Sequence, residues 1–161
     1  MLQVRAATLE DVGLIFGFIR ELAEYERLLD QAESTEEQLQ AALFGPEPKV
    51  FADIAEWQGG PAGFALWYYT FSTFKGRHGI YLEDLYVRPD HRGRGIGKAL
   101  LARLAERCAA EGLARLEWEV LNWNAPSIAF YESLGATPQG EWTGYRLTGD
   151  ALQDLAAKEK A

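Results

Sequence analysis

The stretch of this chain best suited to binding an anion is a glycine-rich run with three basic side chains. It consists of Arg92, Gly93, Arg94, Gly95, Ile96, Gly97 and Lys98. Glycines leave successive backbone N–H groups unobstructed, and a helical pattern begins within the run, so these amides and the helix N-terminus can bind a pyrophosphate. From these residues alone, a tight strand-to-helix turn with solvated arginines is an equally open interpretation.

Two well-known phosphate-binding patterns do not match the run. A Walker A loop would need glycine at position 92 and Ser or Thr at position 99, where Arg92 and Ala99 stand. A dinucleotide fingerprint that starts at Gly93 would need glycine at position 98, where Lys98 stands. The run is therefore neither of these two loops.

The net charge argues against polyanionic partners. Sixteen Lys and Arg residues stand against 24 Asp and Glu residues among the 161 of the chain, a formal net charge of −8. A negative field repels nucleic-acid backbones and anionic lipid surfaces, so we expect neither a nucleic acid nor a membrane as a partner. The acidic composition itself has two interpretations, solubility and attraction of a cationic substrate.

Cysteine and histidine usage excludes other kinds of site. Cys108 is the single cysteine, so no intramolecular disulfide and no multi-cysteine zinc site can form. His78 and His91 lie too far apart in sequence for a recognisable metal motif, and we expect no metal. The N-terminal residues lack the apolar core of a signal peptide. The longest charge-free stretch, residues 57–74, has two glycines and a proline near its start, and its apolar part is too short to span a bilayer as a helix, which favours a cytoplasmic protein.

Capping patterns predict where the first two helices begin. Thr8 followed by Asp11 is a variant of the capping box, and apolar residues then recur at helical spacing to about residue 25. Ser34 with Glu37 repeats the signature for a second helix, which Gly45 and a proline end. Two later helices are expected over residues 96–111, with Gly112 as the stop, and over residues 126–134.

Alternating or apolar stretches predict the strands, over residues 2–6, 49–57, 62–71, 79–87, 115–121 and 143–148. A turn over residues 58–61 and a loop over residues 72–78 separate the long ones. This order of elements predicts a single α/β domain with a mixed sheet. Ligands of such sheets bind at the carboxyl ends of strands, which places the chemistry near residues 87–97.

Several motifs together resemble one enzyme family. Arg-x-x-Gly-x-Gly at Arg92, Gly95 and Gly97 follows a strand that ends in Leu85, Tyr86 and Val87. It resembles the acetyl-CoA motif of the GCN5-related N-acetyltransferases (GNAT). Three further stretches are similar to the diamine (spermidine/spermine) and thialysine N-acetyltransferase branch: Glu-Leu-Ala-Glu-Tyr-Glu from residue 21, Tyr-Leu-Glu-Asp from residue 81, and Asn-Trp-Asn-Ala-Pro-Ser-Ile-Ala-Phe-Tyr from residue 122. The likeness spans nearly the whole chain.

The resemblance implies a fold and a cosubstrate. The fold is the GNAT-type mixed, mostly antiparallel central sheet flanked by helices, as a single domain over residues 1–161. The cosubstrate is acetyl-CoA, with its pyrophosphate on residues 92–98 and its pantetheine arm along a bulged strand end at Leu85, Tyr86 and Val87. Asn124, Pro126 and Ser127 are expected to contact it from the next helix, although Asn124 is also a plausible helix cap. By the same resemblance we expect a homodimer.

Acetylation of an amine needs a proton acceptor and a proton donor. A lysine-like amine has a pKa of ~10.4 and must lose a proton before it attacks. Glu83, in an apolar setting, is the candidate base, directly or through a water, or it only holds the substrate ammonium while water takes the proton. Asp84 points to the opposite face of a regular strand, so the two carboxylates share one wall only if the strand is bulged. A backbone N–H at Leu85 or Tyr86 can stabilise the oxyanion. By resemblance, Tyr131 is the general acid for the departing thiolate.

The acceptor is predicted to be a small cationic amine. Tyr25 and Glu26 match residues that line the substrate in the branch, and with Glu83 and Asp84 they present carboxylates to a cation. Ser72-Thr73-Phe74 and Trp142-Thr143-Gly144-Tyr145 depart from the diamine enzymes. A diamine or polyamine and a smaller, thialysine-like amine therefore both stay open, as do two alternatives, a protein or peptide acceptor and a non-catalytic acyl-CoA-binding module.

Overall fold

The structure is a computed structural model, and it describes residues 1–159. Its strands are β1 Leu2–Ala6, β2 Phe51–Trp57, β3 Gly60–Ser72, β4 Arg77–Val87 and β5 Leu116–Glu117. Its helices are α1 Val12–Tyr25, α2 Glu36–Phe44, α3 Ile96–Glu111, α4 Ala125–Ser133 and α5 Gly149–Glu159. The chain forms two compact units, Met1–Leu121 with the sheet and α1 to α3, and Asn122–Ala161 with α4 and α5.

The sheet has five strands in the order β1-β2-β3-β4-β5. The pairs β1–β2, β2–β3 and β3–β4 are antiparallel, and β5 runs parallel to β4. The predicted mixed, mostly antiparallel sheet is confirmed. Its longest ladder joins β3 to β4, the strand that leads to the glycine-rich run.

Helices cover both faces of the sheet in the first unit. Asp53 and Ile54 are adjacent in β2, so their side chains point to opposite faces. Ile54 belongs to a buried cluster in which Phe18 of α1 stacks on Phe64 with ring centroids 5.3 Å apart. On the other face, Nε of Arg103 from α3 donates to the buried Asp53 carboxylate at 2.9 Å. The helix-flanked sheet predicted from the sequence is therefore the observed architecture.

The capping box predicted at Thr8 and Asp11 is present, and the one predicted at Ser34 is wrong. The Thr8 amide donates to the Asp11 carboxylate at 2.7 Å, and the box caps a 3-10 turn, Leu9–Asp11, that leads directly into α1. At α2, however, Thr35 is the cap: its hydroxyl accepts from the Gln38 amide at 3.1 Å, and its own amide donates to the Gln38 side chain. Ser34 fits the same pattern one residue earlier, and only the helix register distinguishes them.

The predicted strands differ from the observed ones mainly in the second half of the chain. The strand expected over residues 115–121 is reduced to Leu116–Glu117. Residues 143–148 form no strand within the described part of the chain, and α5 follows, which the pattern analysis missed. Alternation alone does not make a strand, because its backbone must also find a partner to pair with. Among the remaining elements, β1 and α3 have the expected bounds, and β2, β3, β4 and α4 differ from them by one or two residues.

Candidate active site

A bulge in β4 lies at Glu83. In the ladder with β3, Leu66 pairs with Asp84 while Trp67 pairs with Leu82, so Glu83 is the extra residue. The bulge lies earlier than the strand end at Leu85 and Val87, where the resemblance implied it. Beyond the bulge, Asp84 shares the face of its partner Leu66, which is the face that α1 covers.

The three carboxylates predicted for the acceptor site interact with one another at the bulge. Burial, and then the charges of Glu83 and Glu26, raise the pKa of Asp84 to about 7. Burial and the charge of Glu83 also raise the pKa of Glu26, which directly follows α1. The first unit therefore concentrates negative charge where the C-terminal end of α1 approaches β4, as a site for a cation requires.

The apolar setting expected for Glu83 is wrong. Its side chain is exposed, because the bulge turns it out of the ladder, whereas the Asp84 side chain is mostly buried. Asp84, which the sequence did not suggest as the base, has a pKa of about 7. The position of the bulge determines which of the two side chains is exposed, and no pattern in the sequence predicts that position.

Two tyrosines and a further carboxylate border this cluster. The rings of Tyr68 and Tyr81, partners in the β3–β4 ladder, lie 5.3 Å apart, and the Tyr81 hydroxyl donates to Glu119 at 2.6 Å. Burial raises the pKa of both tyrosines, and the charges of Glu83 and Glu119 add to the effect. Sequence reasoning missed Tyr68 and Glu119 as neighbours of the site. Tyr68 could have been found from the sequence, because an antiparallel pairing of the predicted strands 62–71 and 79–87 places it beside the strand that carries Glu83.

The glycine-rich run has the geometry of an anion-binding turn. Gly93 and Gly95 have φ angles of 79° and 77°, in the left-handed region that only glycine adopts without strain. Gly95 caps α3, a helix of 16 residues, and residues 92–95 are exposed. The free N-terminal amides of a long helix and the exposed side chain of Lys98 suit a pyrophosphate, and nothing lies within 4 Å of where a Cβ would stand at Gly93 or Gly95.

The arginines of the run contact aromatic rings. The guanidinium of Arg94 lies 5.2 Å from the ring centroid of Trp57. Arg92 folds back toward β4: its Nε donates to the Val87 carbonyl at 2.9 Å, and its guanidinium lies 4.9 Å from the ring centroid of Tyr25 and 5.8 Å from that of Tyr86. The sequence predicted Arg92 as a phosphate-binding charge, and the structure shows that it also ties the run to the end of β4.

One edge of β4 is open where the pantetheine arm was expected. The β4–β5 ladder consists of Ile80 with Leu116 and Tyr81 with Glu117. Among the strands described, none pairs with residues 82–87 on that side. An extended ligand can therefore hydrogen-bond to this edge as an added strand would. Leu85, Tyr86 and Val87 all lie on the open segment.

A polar network fixes α1 to the end of β4. The guanidinium of Arg88 bonds to the Glu21 carboxylate at 3.1 and 3.3 Å and lies 4.8 Å from the Phe18 ring centroid. The Tyr86 hydroxyl donates to the same carboxylate at 3.2 Å. These contacts set the distance between α1, which carries Tyr25, and the strand that carries Asp84.

The second unit carries the other predicted site residues on α4. Asn124 is a helix cap: its side-chain oxygen accepts from the Ser127 amide at 3.3 Å, and Pro126 stands in the first turn. The capping interpretation of Asn124, left open by the sequence, is thus confirmed. Tyr131 is half-buried on α4, with its ring centroid 5.5 Å from that of Phe130.

Within residues 1–159, no three or more His, Cys, Asp or Glu side chains are grouped so that they can hold a metal ion. Among the same residues, no helix has both the length and the apolar character needed to cross a membrane.

Comparison with known proteins gives consistent matches in sequence and in structure. The model of the acetyltransferase (GNAT) family matches residues 16–136. Thialysine N-epsilon-acetyltransferase from Bos taurus is 40% identical over 96% of this chain and 97% of its own length. L-ornithine N5-acetyltransferase from Arabidopsis thaliana is 31% identical over 95% of this chain and 87% of its own. A solved integron cassette protein from the mobile metagenome of V. cholerae has 27% identity and a TM-score of 0.80, over 96% of this chain and 97% of that one.

Proposed function

The chain belongs to the acetyltransferase (GNAT) family and is an N-acetyltransferase, and from this we propose that it transfers an acetyl group from acetyl-CoA to the primary amine of a small cationic acceptor. The observation that carries the proposal is the group of three interacting carboxylates, Glu26, Glu83 and Asp84, at a bulge in the strand whose continuation has an open edge. The acceptor is a diamine, a polyamine or a thialysine-like amino acid.

The electrostatics of the first unit support a cationic acceptor. The charge of Glu83 raises the pKa of both Glu26 and Asp84, and an ammonium group that enters among the three carboxylates relieves this repulsion. Tyr68 and Tyr81 add ring faces, which also attract cations. The names of the thialysine and ornithine relatives fit this chemistry, since both acceptors carry a terminal amine on a short side chain.

Asp84 is the better candidate for the base, with Glu83 holding the substrate ammonium. A base works best when its pKa lies near the working pH, and the pKa of Asp84 is about 7. In the proposed step, the ammonium gives a proton to Asp84, directly or through a water, and the amine lone pair then attacks the thioester carbonyl carbon. The C–N bond forms as the C–S bond breaks, and the thiolate takes a proton from the Tyr131 phenol. The second proton leaves the nitrogen as the amide forms and returns the Tyr131 phenolate to the phenol, directly or through water.

The binding of acetyl-CoA is assigned to groups that suit its chemistry. The amides and positive charges of Arg92, Gly93, Arg94, Gly95, Ile96, Gly97 and Lys98 bind the pyrophosphate. The backbone of Leu85, Tyr86 and Val87 takes the pantetheine arm, and an amide at Leu85 or Tyr86 stabilises the oxyanion. Asn124, Pro126, Ser127 and Tyr131 contribute contacts from α4.

The remaining expectations complete the proposal. Residues 1–161 act as one N-acetyltransferase domain, the protein is a cytoplasmic homodimer, and it needs no metal. Two of these expectations are testable separately from the chemistry. Sedimentation measures whether the protein is a dimer, and activity in the presence of a chelator shows whether it needs a metal.

A panel of amines assayed with acetyl-CoA and a thiol-detecting reagent tests the function. We expect thiol release with thialysine, ornithine or a diamine, and a much lower rate with peptides that present lysine or a free N-terminus. A higher rate with peptides would assign the protein to the peptide acetyltransferases. Thiol release with none of the amines would contradict the proposal and favour an acyl-CoA-binding module.

A further inference from the structure

We propose that Arg92 is a positioning residue that couples the amine side of the site to the acetyl-CoA side through the ring of Tyr25. The inference deepens the proposed function and rests on it. Its basis is the position of the Arg92 guanidinium, which contacts elements from both sides of the site at once. A charge that served only a pyrophosphate would need neither contact.

The two contacts of Arg92 use different parts of its side chain. Nε donates in the guanidinium plane to the Val87 carbonyl at 2.9 Å. The face of the guanidinium is available to the rings of Tyr25, at 4.9 Å, and Tyr86, at 5.8 Å. A planar guanidinium can donate along its edge and stack on its faces together, and a lysine ammonium has no such plane.

Each contacted residue belongs to a different part of the site. Val87 ends β4, on the open edge assigned to the pantetheine arm. Tyr25 ends α1 and directly precedes Glu26, whose carboxyl interacts with Glu83 and Asp84. A displacement of Arg92 when coenzyme A binds is therefore transmitted to the residue next to an acceptor-site carboxylate, and a displacement of Tyr25 is transmitted back.

Arg94 provides a matched comparison within the same run. It is also exposed and also contacts an aromatic ring, that of Trp57, at 5.2 Å. Trp57 ends β2, a strand that contributes none of the three carboxylates Glu26, Glu83 and Asp84. Substitution of Arg94 is thus expected to weaken the binding of acetyl-CoA, and its effect should be independent of substitutions at Tyr25.

A double-mutant cycle with Arg92→Lys and Tyr25→Leu tests the proposal. For wild type, both single variants and the double variant, kcat and KM are measured twice. The amine is varied at saturating acetyl-CoA, and acetyl-CoA is then varied at saturating amine. Each single substitution should raise the KM for the amine. In the double variant, the increase in this KM should be roughly three- to fivefold smaller than the product of the two single increases, which is the size expected of one cation–π contact. Tyr25→Phe keeps the ring, so Arg92→Lys should cost as much in that background as in wild type. Arg94→Lys should combine additively with Tyr25→Leu.

Additivity of Arg92→Lys with Tyr25→Leu, or an Arg92→Lys effect confined to the KM for acetyl-CoA, would overturn the coupling and leave the proposed function intact. Absence of acetyl transfer by the wild type to any amine would contradict the proposed function and remove the basis of the coupling with it. Isothermal titration of the amine with and without coenzyme A adds a readout without turnover. Coenzyme A should tighten amine binding in wild type and should lose that effect in Arg92→Lys.

Discussion

Asp84 of β4 lies opposite Leu66 of β3, on the sheet face that α1 covers. A regular strand would have turned the Asp84 side chain to the other face and placed Glu83 in its position. The bulge at Glu83 therefore selects which of two adjacent carboxyls is half-buried under α1 and which is exposed. It raises the pKa of Asp84 to about 7, and a strongly perturbed group beside an open strand edge is typical of a functional site.

Replacement of Asp84 tests its role as the base. We expect Asp84→Asn to lower kcat by about 10²-fold or more and to abolish the rise of kcat/KM with pH through about 7. Glu83→Gln is the matched control and should mainly raise the KM for the amine. A pH–rate profile of both variants distinguishes the roles, and a strong loss of kcat in Glu83→Gln alone would return the base assignment to Glu83.

The same substitution should stabilise the fold. The ordinary pKa of an aspartate, 3.8, is raised to about 7 in the folded state, so the native protein holds a proton that the unfolded chain has lost. The resulting destabilisation of the native state is absent below pH ~4, grows as the pH rises toward 7, and reaches its full size above pH 7. Asp84→Asn should thus raise the free energy of unfolding at pH 8 by on the order of 2 kcal/mol and leave it unchanged at pH 4. Urea unfolding at both pH values measures the difference, and equal effects at both would exclude this origin.

The contrast between Glu83 and Asp84 shows what the sequence could and could not predict. Local signals were sufficient where a single segment decides the outcome: Thr8 with Asp11 predicted the capped turn that leads into α1, and Gly112 predicted the end of α3. The bulge depends on how two distant strands pair, which no local pattern contains. The segment over residues 143–148 failed for a related reason, since its alternation said nothing about a pairing partner.

Tyr131→Phe tests the proton donor. We expect kcat to fall by about 10²-fold while the affinity for acetyl-CoA changes little, because a leaving-group acid acts mainly in the transition state. The phenyl ring keeps the packing against Phe130, so the variant should fold normally. Steady-state kinetics and titration with coenzyme A give the two values. An unchanged kcat would exclude Tyr131 from the mechanism.

Gly95→Ala tests the glycine-rich run. Alanine at a φ of 77° costs about 1 kcal/mol of folding free energy, and it adds a methyl group beside amides assigned to the pyrophosphate. We expect acetyl-CoA affinity to fall roughly tenfold, about 1.4 kcal/mol. Gly140→Ala, at a position with no positive φ and nothing within 4 Å of a new Cβ, is the control and should change neither quantity. Unimpaired binding in Gly95→Ala would mean that the run is not the pyrophosphate site.

Asp11 should make the fold sensitive to acid. Two hydrogen bonds from the Arg5 guanidinium, at 2.7 and 3.0 Å, and one from the Thr8 amide lower the pKa of Asp11 from 3.8 to about 2. Because the folded pKa is depressed, its contribution is complete above pH ~4 and is lost as the pH falls through about 2. Asp11→Asn should lower the free energy of unfolding by about 1–2 kcal/mol at pH 7 and by much less at pH 2.

Glu56 is the matched control for this prediction, since it also pairs with Arg5, at 3.2 Å, but is more exposed. Glu56→Gln should change the free energy of unfolding by less than about 1 kcal/mol, as is usual for an ion pair that water reaches. Thermal unfolding of both variants from pH 2 to pH 7 compares them. The Asp11 variant should converge with wild type at the acid end, because there the native carboxyl begins to take up the proton that ends its pairing with Arg5. Parallel curves across the whole range would show that Asp11 acts through its capping hydrogen bonds alone and not through its charge.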